Sequence, residues 1–152
     1  LRKKSRTGGN GKVKKIAVVY FSDTGNTQEM AEQVEAGARS KGAETKLLFV
    51  DELDPDRIPE YDIIAFGCPA SGTEQMNGMF VASYKHYRPY LKDHKVALFG
   101  SWGWGGGQYM KEWAVQARGD GMILAADPVT CQKKPDEAAR KACFQLGEKI
   151  AS

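Results

Sequence analysis

The chain has 152 residues, of which 41% are hydrophobic and 27% are charged, the proportions of an ordinary globular protein. This length suits one domain with a substantial core, and because no apolar stretch is long enough to cross a bilayer, we expect a soluble body without a membrane span. The three cysteines (Cys68, Cys131 and Cys143) lack paired spacing and there are only two histidines, which excludes a disulfide framework or a metal site and favours a reducing compartment, the cytoplasm.

Basic residues are concentrated near the N-terminus. Residues 1–15 carry seven Lys or Arg and no acidic residue, so the remainder has 15 basic and 19 acidic residues and a formal charge of −4. We predict a disordered basic tail over residues 1–13, followed by one domain over residues 14–152. A cloning remnant, a linker from a longer protein and a basic arm for anionic partners all fit this tail, and a start at Leu1 favours the first two. The body lacks a basic patch interleaved with aromatics, so we expect no nucleic-acid partner.

The first predicted strand, residues 16–21, runs directly into a polar turn, Ser22-Asp23-Thr24-Gly25-Asn26-Thr27. The helix predicted after it begins with free N–H groups and a positive dipole end, which attract anions. Gly25 lets the chain wrap closely, and the hydroxyl and amide side chains can donate hydrogen bonds. A phosphate-binding turn is therefore predicted, with an ordinary hydroxyl-rich helix cap as the alternative. The turn contains no Lys or Arg and matches neither the Walker nor the dinucleotide glycine motif, which disfavours nucleotide hydrolysis.

Further strands alternate with helices along the rest of the chain. Buried strands are predicted over residues 47–50, 63–67, 96–101 and 122–126, because these apolar runs are nearly continuous. Helices are predicted over residues 27–41, 79–91, 109–118 and 135–151, with Pro135 in the first turn of the last one. Five strands alternating with helices in a chain of this length predict a doubly wound α/β sheet.

Three unusual turns follow predicted strands, at residues 22–27, 67–74 and 100–107. In a doubly wound sheet the carboxyl ends of the strands share one edge, and ligands bind there at the point where strand order reverses. Because all three turns belong to that edge, a binding site is far better supported than it would be by any single turn.

The three turns resemble those of the flavodoxin family in its short-chain form, over about residues 14–152. The first turn is similar to the family's phosphate loop, Gly67-Cys68-Pro69-Ala70 and Gly72-Thr73-Glu74 resemble its second loop, and Phe99-Gly100-Ser101-Trp102-Gly103-Trp104-Gly105 resembles its third. The resemblance implies a flavodoxin-like fold, a five-stranded parallel sheet in the order 2-1-3-4-5, and flavin mononucleotide (FMN) as the cofactor. Only about ten residues separate the fifth predicted strand from the last helix, which leaves no room for the insertion of long-chain members.

The resemblance also assigns roles to single residues. It implies that Trp104 stacks on the isoalloxazine ring and that Glu74 accepts a hydrogen bond from flavin N3, while the Gly72 peptide lies near N5 and can turn its carbonyl inward. The remaining implied contacts are Ser22, Asp23, Thr24, Gly25, Asn26 and Thr27 around the phosphate, Pro69, Ala70, Ser71 and Thr73 in the second loop, and Ser101, Trp102, Gly103 and Gly105 in the third.

Several residues depart from the family pattern. Ser71 stands where many short-chain members have a Met that covers the inner flavin face, and Met76, Met79 and Met110 are candidates to replace that cover. Pro69 replaces a Ser found in some members and so removes an N–H and a hydroxyl. Trp102 can form a second aromatic wall or pack in the core.

The resemblance implies a non-catalytic, low-potential one-electron carrier, which we expect to dock redox proteins transiently through an acidic rim around FMN, as a monomer. Acidic surroundings without a nearby cation would disfavour the fully reduced, anionic flavin and so lower its potential. The alternative is an FMN-dependent, NAD(P)H-linked reductase of quinone-like molecules, which Ser71 supports and the lack of a nicotinamide motif opposes. A phospho-acceptor signalling module is a third possibility, but Asp23 and Asp51 do not form its acidic cluster.

Overall fold

The computed structural model describes residues 13–71 and 74–152, so the predictions for residues 1–12 and for Gly72 and Thr73 lie outside the described residues. Strands occupy Lys15–Tyr20 (β1), Glu44–Phe49 (β2), Ile63–Gly67 (β3), Lys95–Trp102 (β4), Ile123–Leu124 (β5) and Val129–Gln132 (β6). Helices occupy Asn26–Ser40 (α1), Gly78–Tyr87 (α2), Gln108–Gly119 (α3) and Glu137–Ala151 (α4). Two short 3-10 helices occupy Pro55–Glu60 and Arg88–Tyr90.

The strands pair in parallel in the order β2-β1-β3-β4-β5, which confirms the predicted doubly wound sheet and its strand order. Tyr20 at the end of β1 is in register with Gly67 at the end of β3, and Gly67 is in register with Phe99 of β4. β4 continues beyond this pair to Trp102. The register therefore brings the three predicted turns to the same edge of the sheet.

The fifth position in the sheet is filled by two short strands, and the prediction of one strand over residues 122–126 is wrong. β5 pairs with the first half of β4, and β6 pairs with the second half, where Trp102 is in register with Gln132. Residues 125–128 interrupt the pairing and end in Pro128, which has no N–H to donate to a neighbouring strand. β6 therefore lies within the interval of about ten residues between the fifth predicted strand and the last helix. Only residues 125–128 separate β5 from β6.

The sheet is covered on both faces. α2 and α3 pack on one face, where Phe80, Tyr84 and Trp113 are buried, and α1 and α4 pack on the other, where Met30 and Leu146 are buried. This arrangement explains the nearly continuous apolar runs of β1, β3 and β4, since almost every residue of these central strands is buried. No helix in the described part of the chain is both long and apolar enough to cross a bilayer.

Two glycines set the close crossing of α1 and α4. A Cβ atom at Gly37 would lie 2.0 Å from the carbonyl oxygen of Phe144, and one at Gly147 would lie 2.0 Å from that of Val34. Carbon and oxygen atoms that are not bonded cannot approach so closely, so any side chain at either position would push the helices apart. The absence of a side chain at both positions allows the backbones to touch.

The two ends of the described domain lie together. Lys14 Nζ, just before β1, donates a hydrogen bond of 2.5 Å to the carbonyl oxygen of Ser152, just after α4. α4 begins later than predicted, because the Asp136 side chain caps it by accepting from the N–H of Ala139 at 2.8 Å. Pro135 precedes this cap instead of lying in the first turn, consistent with the strong preference for Asp at the capping position.

Candidate functional site

The first loop, residues 21–25, leads from β1 to the start of α1. Gly25 has a φ of 94° and is the residue just before the helix, and its N–H donates to Ser22 Oγ at 3.1 Å. Asp23, Thr24 and Gly25 are exposed, and a Cβ atom at Gly25 would meet nothing within 4 Å. The loop thus leaves open space in front of the helix N-terminus, where N–H groups and the helix dipole favour an anion.

Thr27 differs from the other polar residues of this loop because it is buried. Its Oγ1 lies 3.2 Å from Ser101 Oγ, and both side chains are almost fully buried. The hydroxyl pair ties the first turn of α1 to the carboxyl end of β4. The structure therefore brings Thr27 and Ser101 together, as parts of the site that hold two loops in place.

The second loop, residues 68–77, folds back on itself at the end of β3. Ala70 donates its N–H to the Ser101 carbonyl at 2.9 Å and pairs with Met76 across the loop, while the buried Pro69 accepts from the N–H of Asn77 at 3.0 Å. The Ser71 N–H donates to the Gln75 carbonyl at 2.6 Å. These bonds hold together the residues on either side of Gly72 and Thr73, which are outside the described residues.

The Glu74 carboxylate has one oxygen that indicates a ligand. Its Oε1 is buried, and no hydrogen-bond partner for it lies within the described residues. The carboxyl group packs on the third loop, since a Cβ atom at Gly105 would lie 1.9 Å from Glu74 Cδ. Buried polar atoms are nearly always hydrogen-bonded, so this oxygen is placed to accept a bond from a ligand. A flavin N3–H is such a donor, and the residues present therefore fit FMN.

The third loop, residues 103–107, connects β4 to α3 and has three glycines in the left-handed region. The φ angles are 95° at Gly105, 76° at Gly106 and 78° at Gly107, conformations that residues with a Cβ rarely adopt. Trp104 projects from this loop with 65% of its surface exposed. Trp102 is instead half-buried against the core, which favours the packing role over a second aromatic wall.

The methionines considered for the inner flavin face lie in different places. Met110 is buried in the core and Met76 packs on the core's edge, so both fill space inside the fold. Met79 is 67% exposed in the first turn of α2. Met79 is thus the only methionine of these three with a free side chain at this edge of the sheet.

A set of residues that the sequence analysis missed borders both ends of the site. Gln132 Nε2 donates to the Gly103 carbonyl at 3.1 Å. Near the phosphate loop, Lys134 Nζ lies 3.3 Å from Glu29 Oε1 and Arg140 Nη1 lies 3.2 Å from Glu29 Oε2. The first loop itself has no Lys or Arg, but these two side chains bring positive charge to the first turn of α1. The absence of a cation beside the flavin ring stays a prediction.

Comparison with known proteins agrees with this geometry. Residues 18–147 match the family model described as flavodoxin. Flavodoxins of Megasphaera elsdenii and Clostridium beijerinckii are each 34% identical to this chain, and the alignments cover 90% of it and 98% and 99% of those proteins. The solution structure of two-electron reduced Megasphaera elsdenii flavodoxin matches with a TM-score of 0.81 over 90% of this chain and 98% of that one. An archaeal flavodoxin structure, 30% identical, matches with a TM-score of 0.80 over 90% and 96%. The chain belongs to the flavodoxin family, whose members carry FMN and transfer electrons between redox proteins.

Proposed function

We propose that the three loops hold FMN and that this protein is a low-potential, one-electron carrier rather than an enzyme. The observation that carries the proposal is the buried Oε1 of Glu74, which has no hydrogen-bond partner among the described residues and lies at the same sheet edge as the open turn before α1. Glu74 Oε1 can accept a bond from a hydrogen-bond donor, and the turn before α1 favours an anion. FMN has both, a ring N–H and a phosphate.

At the phosphate end, the open space before α1 is surrounded by Ser22, Asp23, Thr24, Gly25 and Asn26. The N–H groups of the first helical turn donate to the phosphate oxygens, and the hydroxyls of Ser22 and Thr24 add further donors. Thr27 contributes through its backbone, while its hydroxyl holds Ser101. The exposed Gly25 lets the phosphate approach the helix end closely.

At the ring end, Glu74 accepts from flavin N3 and Trp104 covers the outer face of the ring. The exposed indole has little apolar contact of its own, so stacking on the ring removes apolar surface of both from water. The inner wall is formed by Pro69, Ala70 and Ser71, and Thr73 is proposed to contact the ring beside them. Gly103 and Gly105 present backbone N–H groups to the pyrimidine edge.

The bound cofactor supplies the redox chemistry, accepting and releasing electrons one at a time. The protein's part is to bind the ring, shield it from water and place hydrogen-bonding groups around it. Gly72 is proposed to offer its peptide to N5, where glycine makes a change of peptide orientation inexpensive. The Glu74 carboxylate keeps a negative charge beside the ring, which opposes full reduction to an anion and so lowers that potential.

Redox partners are proposed to dock transiently at the FMN edge, with this protein as a monomer in the cytoplasm. Support for an acidic docking side comes from the loop after β2, where Asp51, Glu52, Asp54 and Asp56 are all exposed. Such a charged surface raises the rate of encounter with a basic partner without requiring a large interface. The location is proposed from the cysteines, since free thiols persist in a reducing compartment.

The test is stepwise anaerobic reduction of the purified, FMN-loaded protein, followed by visible absorption. A one-electron carrier gives a yellow protein that turns blue at half reduction and then bleaches. Direct bleaching from yellow, accompanied by oxidation of a nicotinamide in the presence of a quinone, would overturn the carrier in favour of a reductase. Failure to bind added FMN would overturn the site itself.

A further inference from the structure

The segment from β6 into α4, residues 132–140, contacts both ends of the proposed FMN site. At the ring end, the Lys133 N–H donates to the Trp102 carbonyl at 2.7 Å and the Gln132 side chain donates to the Gly103 carbonyl at 3.1 Å. At the phosphate end, Arg140 donates to Glu29 at 3.2 Å and to the Pro135 carbonyl at 3.0 Å. One short segment thus holds the third loop and the first turn of α1.

The bond from Gln132 fixes the peptide between Gly103 and Trp104. In a trans peptide the C=O and N–H groups point in opposite directions, so a carbonyl held toward β6 turns the Trp104 N–H away from β6. The residues that follow, Gly105 and Gly106, have positive φ angles and open conformational space. A loop with so little intrinsic stiffness needs an external anchor to keep Trp104 in one position.

At the phosphate end, residues 132–140 contact α1 through charged side chains. Glu29 lies in the first turn of α1, the same turn whose N–H groups are proposed to bind the phosphate, so its negative charge belongs to the phosphate end of the helix. Alone it would repel a phosphate. Lys134 and Arg140 both contact this carboxylate, so the three side chains together carry a net positive charge.

We propose that residues 132–140 form a two-ended clamp on the FMN site, in which Gln132 positions the third loop while Lys134 and Arg140 supply the positive charge that the phosphate loop lacks. The inference rests on the proposed FMN site. It makes a distinct prediction for each end, because riboflavin has the same ring as FMN but no phosphate. Loss of the ring anchor weakens both ligands, whereas loss of the cation weakens FMN alone.

The experiment measures the dissociation constants of FMN and riboflavin for the apoprotein by flavin fluorescence quenching at low ionic strength. Gln132→Met keeps the side-chain length but removes the donor, and we expect it to weaken both ligands by about threefold to tenfold. For Lys134→Ala we expect FMN to weaken about threefold, riboflavin to be unchanged, and the difference to shrink at high salt. Lys134→Arg keeps the charge and should restore FMN binding.

Lys141→Ala is the matched control, since it removes the same charge from an exposed position in α4, shortly after Lys134 in the chain, and Lys141 forms no ion pair among the described residues. Lys134 has a side chain that is 78% exposed, so its loss should leave the thermal unfolding of the apoprotein unchanged. Equal FMN-to-riboflavin ratios in Lys134→Ala and Lys141→Ala would overturn the phosphate end, and unchanged affinities in Gln132→Met would overturn the ring end. A wild-type protein that binds neither ligand would instead overturn the proposed function.

Discussion

Gly105→Ala tests whether the contact between the second and third loops creates the flavin site. The added Cβ would lie 1.9 Å from Glu74 Cδ and 2.3 Å from Glu74 Oε1, so the Glu74 side chain must leave its position. Gly106→Ala is a closely matched control. Its φ of 76° is also positive, but a Cβ there would meet nothing within 4 Å.

The two substitutions should cost similar amounts of folding stability but different amounts of binding. Placing alanine in a left-handed conformation costs about 1–2 kcal/mol at either position. Glu74 is a flexible side chain and can rotate away, so its displacement adds little to the unfolding free energy of the apoprotein. A hydrogen bond to a charged acceptor contributes about 1.5–3 kcal/mol, so the loss of the Glu74 bond should weaken FMN binding in Gly105→Ala by about tenfold to a hundredfold.

Two measurements separate these effects. Urea unfolding of the apoproteins gives the loss of stability, and fluorescence titration with FMN gives the loss of affinity. If both variants bind FMN equally well, the position of Glu74 beside Gly105 does not matter for binding and the reasoning is wrong. If Gly105→Ala instead loses several kcal/mol more stability than Gly106→Ala, Glu74 cannot move away and the contact is structural.

Three other predictions concern the helix crossing, the exposed indole and the buried thiols. Gly147→Ala should lower the unfolding free energy by about 2–3 kcal/mol, because its Cβ would meet backbone atoms of α1. The control Gly119→Ala places its Cβ in open space, so the unfolding free energy should stay unchanged or rise by up to about 1 kcal/mol. Equal urea midpoints for the two variants would contradict this prediction. Trp104→Ala should weaken FMN binding markedly while the apoprotein keeps its thermal midpoint, and an unchanged dissociation constant would reject stacking. Burial raises the pKa of the Cys131 thiol to about 11 and that of Cys143 to about 12, above the 9.0 of an unperturbed thiol. The unfolded state therefore loses these protons first, and the unfolding free energy should fall as pH rises above about 9; a value in urea at pH 10 equal to that at pH 7 would refute this.

Most of the fold could be predicted because its signals are local. A strand buried on both faces is a continuous apolar run, and residues 63–67 were predicted with the bounds that β3 has in the structure. The bounds predicted for the fifth strand were wrong because β5 is only Ile123–Leu124 and pairing with β4 resumes in β6 after Pro128. Two such short pieces leave too little pattern to recognise as one position in a sheet.

The candidate site likewise contains local features, which the sequence reveals, and features that depend on the fold. The turn before α1 and the indole of Trp104 belong to short motifs that can be read directly from the sequence. The proposed clamp cannot be read from the sequence, because Lys134 and Arg140 contact Glu29 across separations of 105 and 111 residues. No periodicity or spacing links residues so far apart, and their meeting depends on the close packing of α4 against α1. The Glu74 oxygen without a partner among the described residues likewise cannot be found from the sequence, because its burial depends on the third loop packing against it.

The hydrogen bond between Lys14 and Ser152 has a practical consequence for engineering. Both residues lie at the end of the sheet where β1 begins, opposite the edge that holds the three loops. A short peptide could join these ends into a circular permutant, with new termini opened within residues 125–128, and each of the three loops would remain on uninterrupted chain. By the same geometry, a protein fused before Lys14 or after Ser152 would start on the side remote from the three loops, leaving the proposed FMN site accessible.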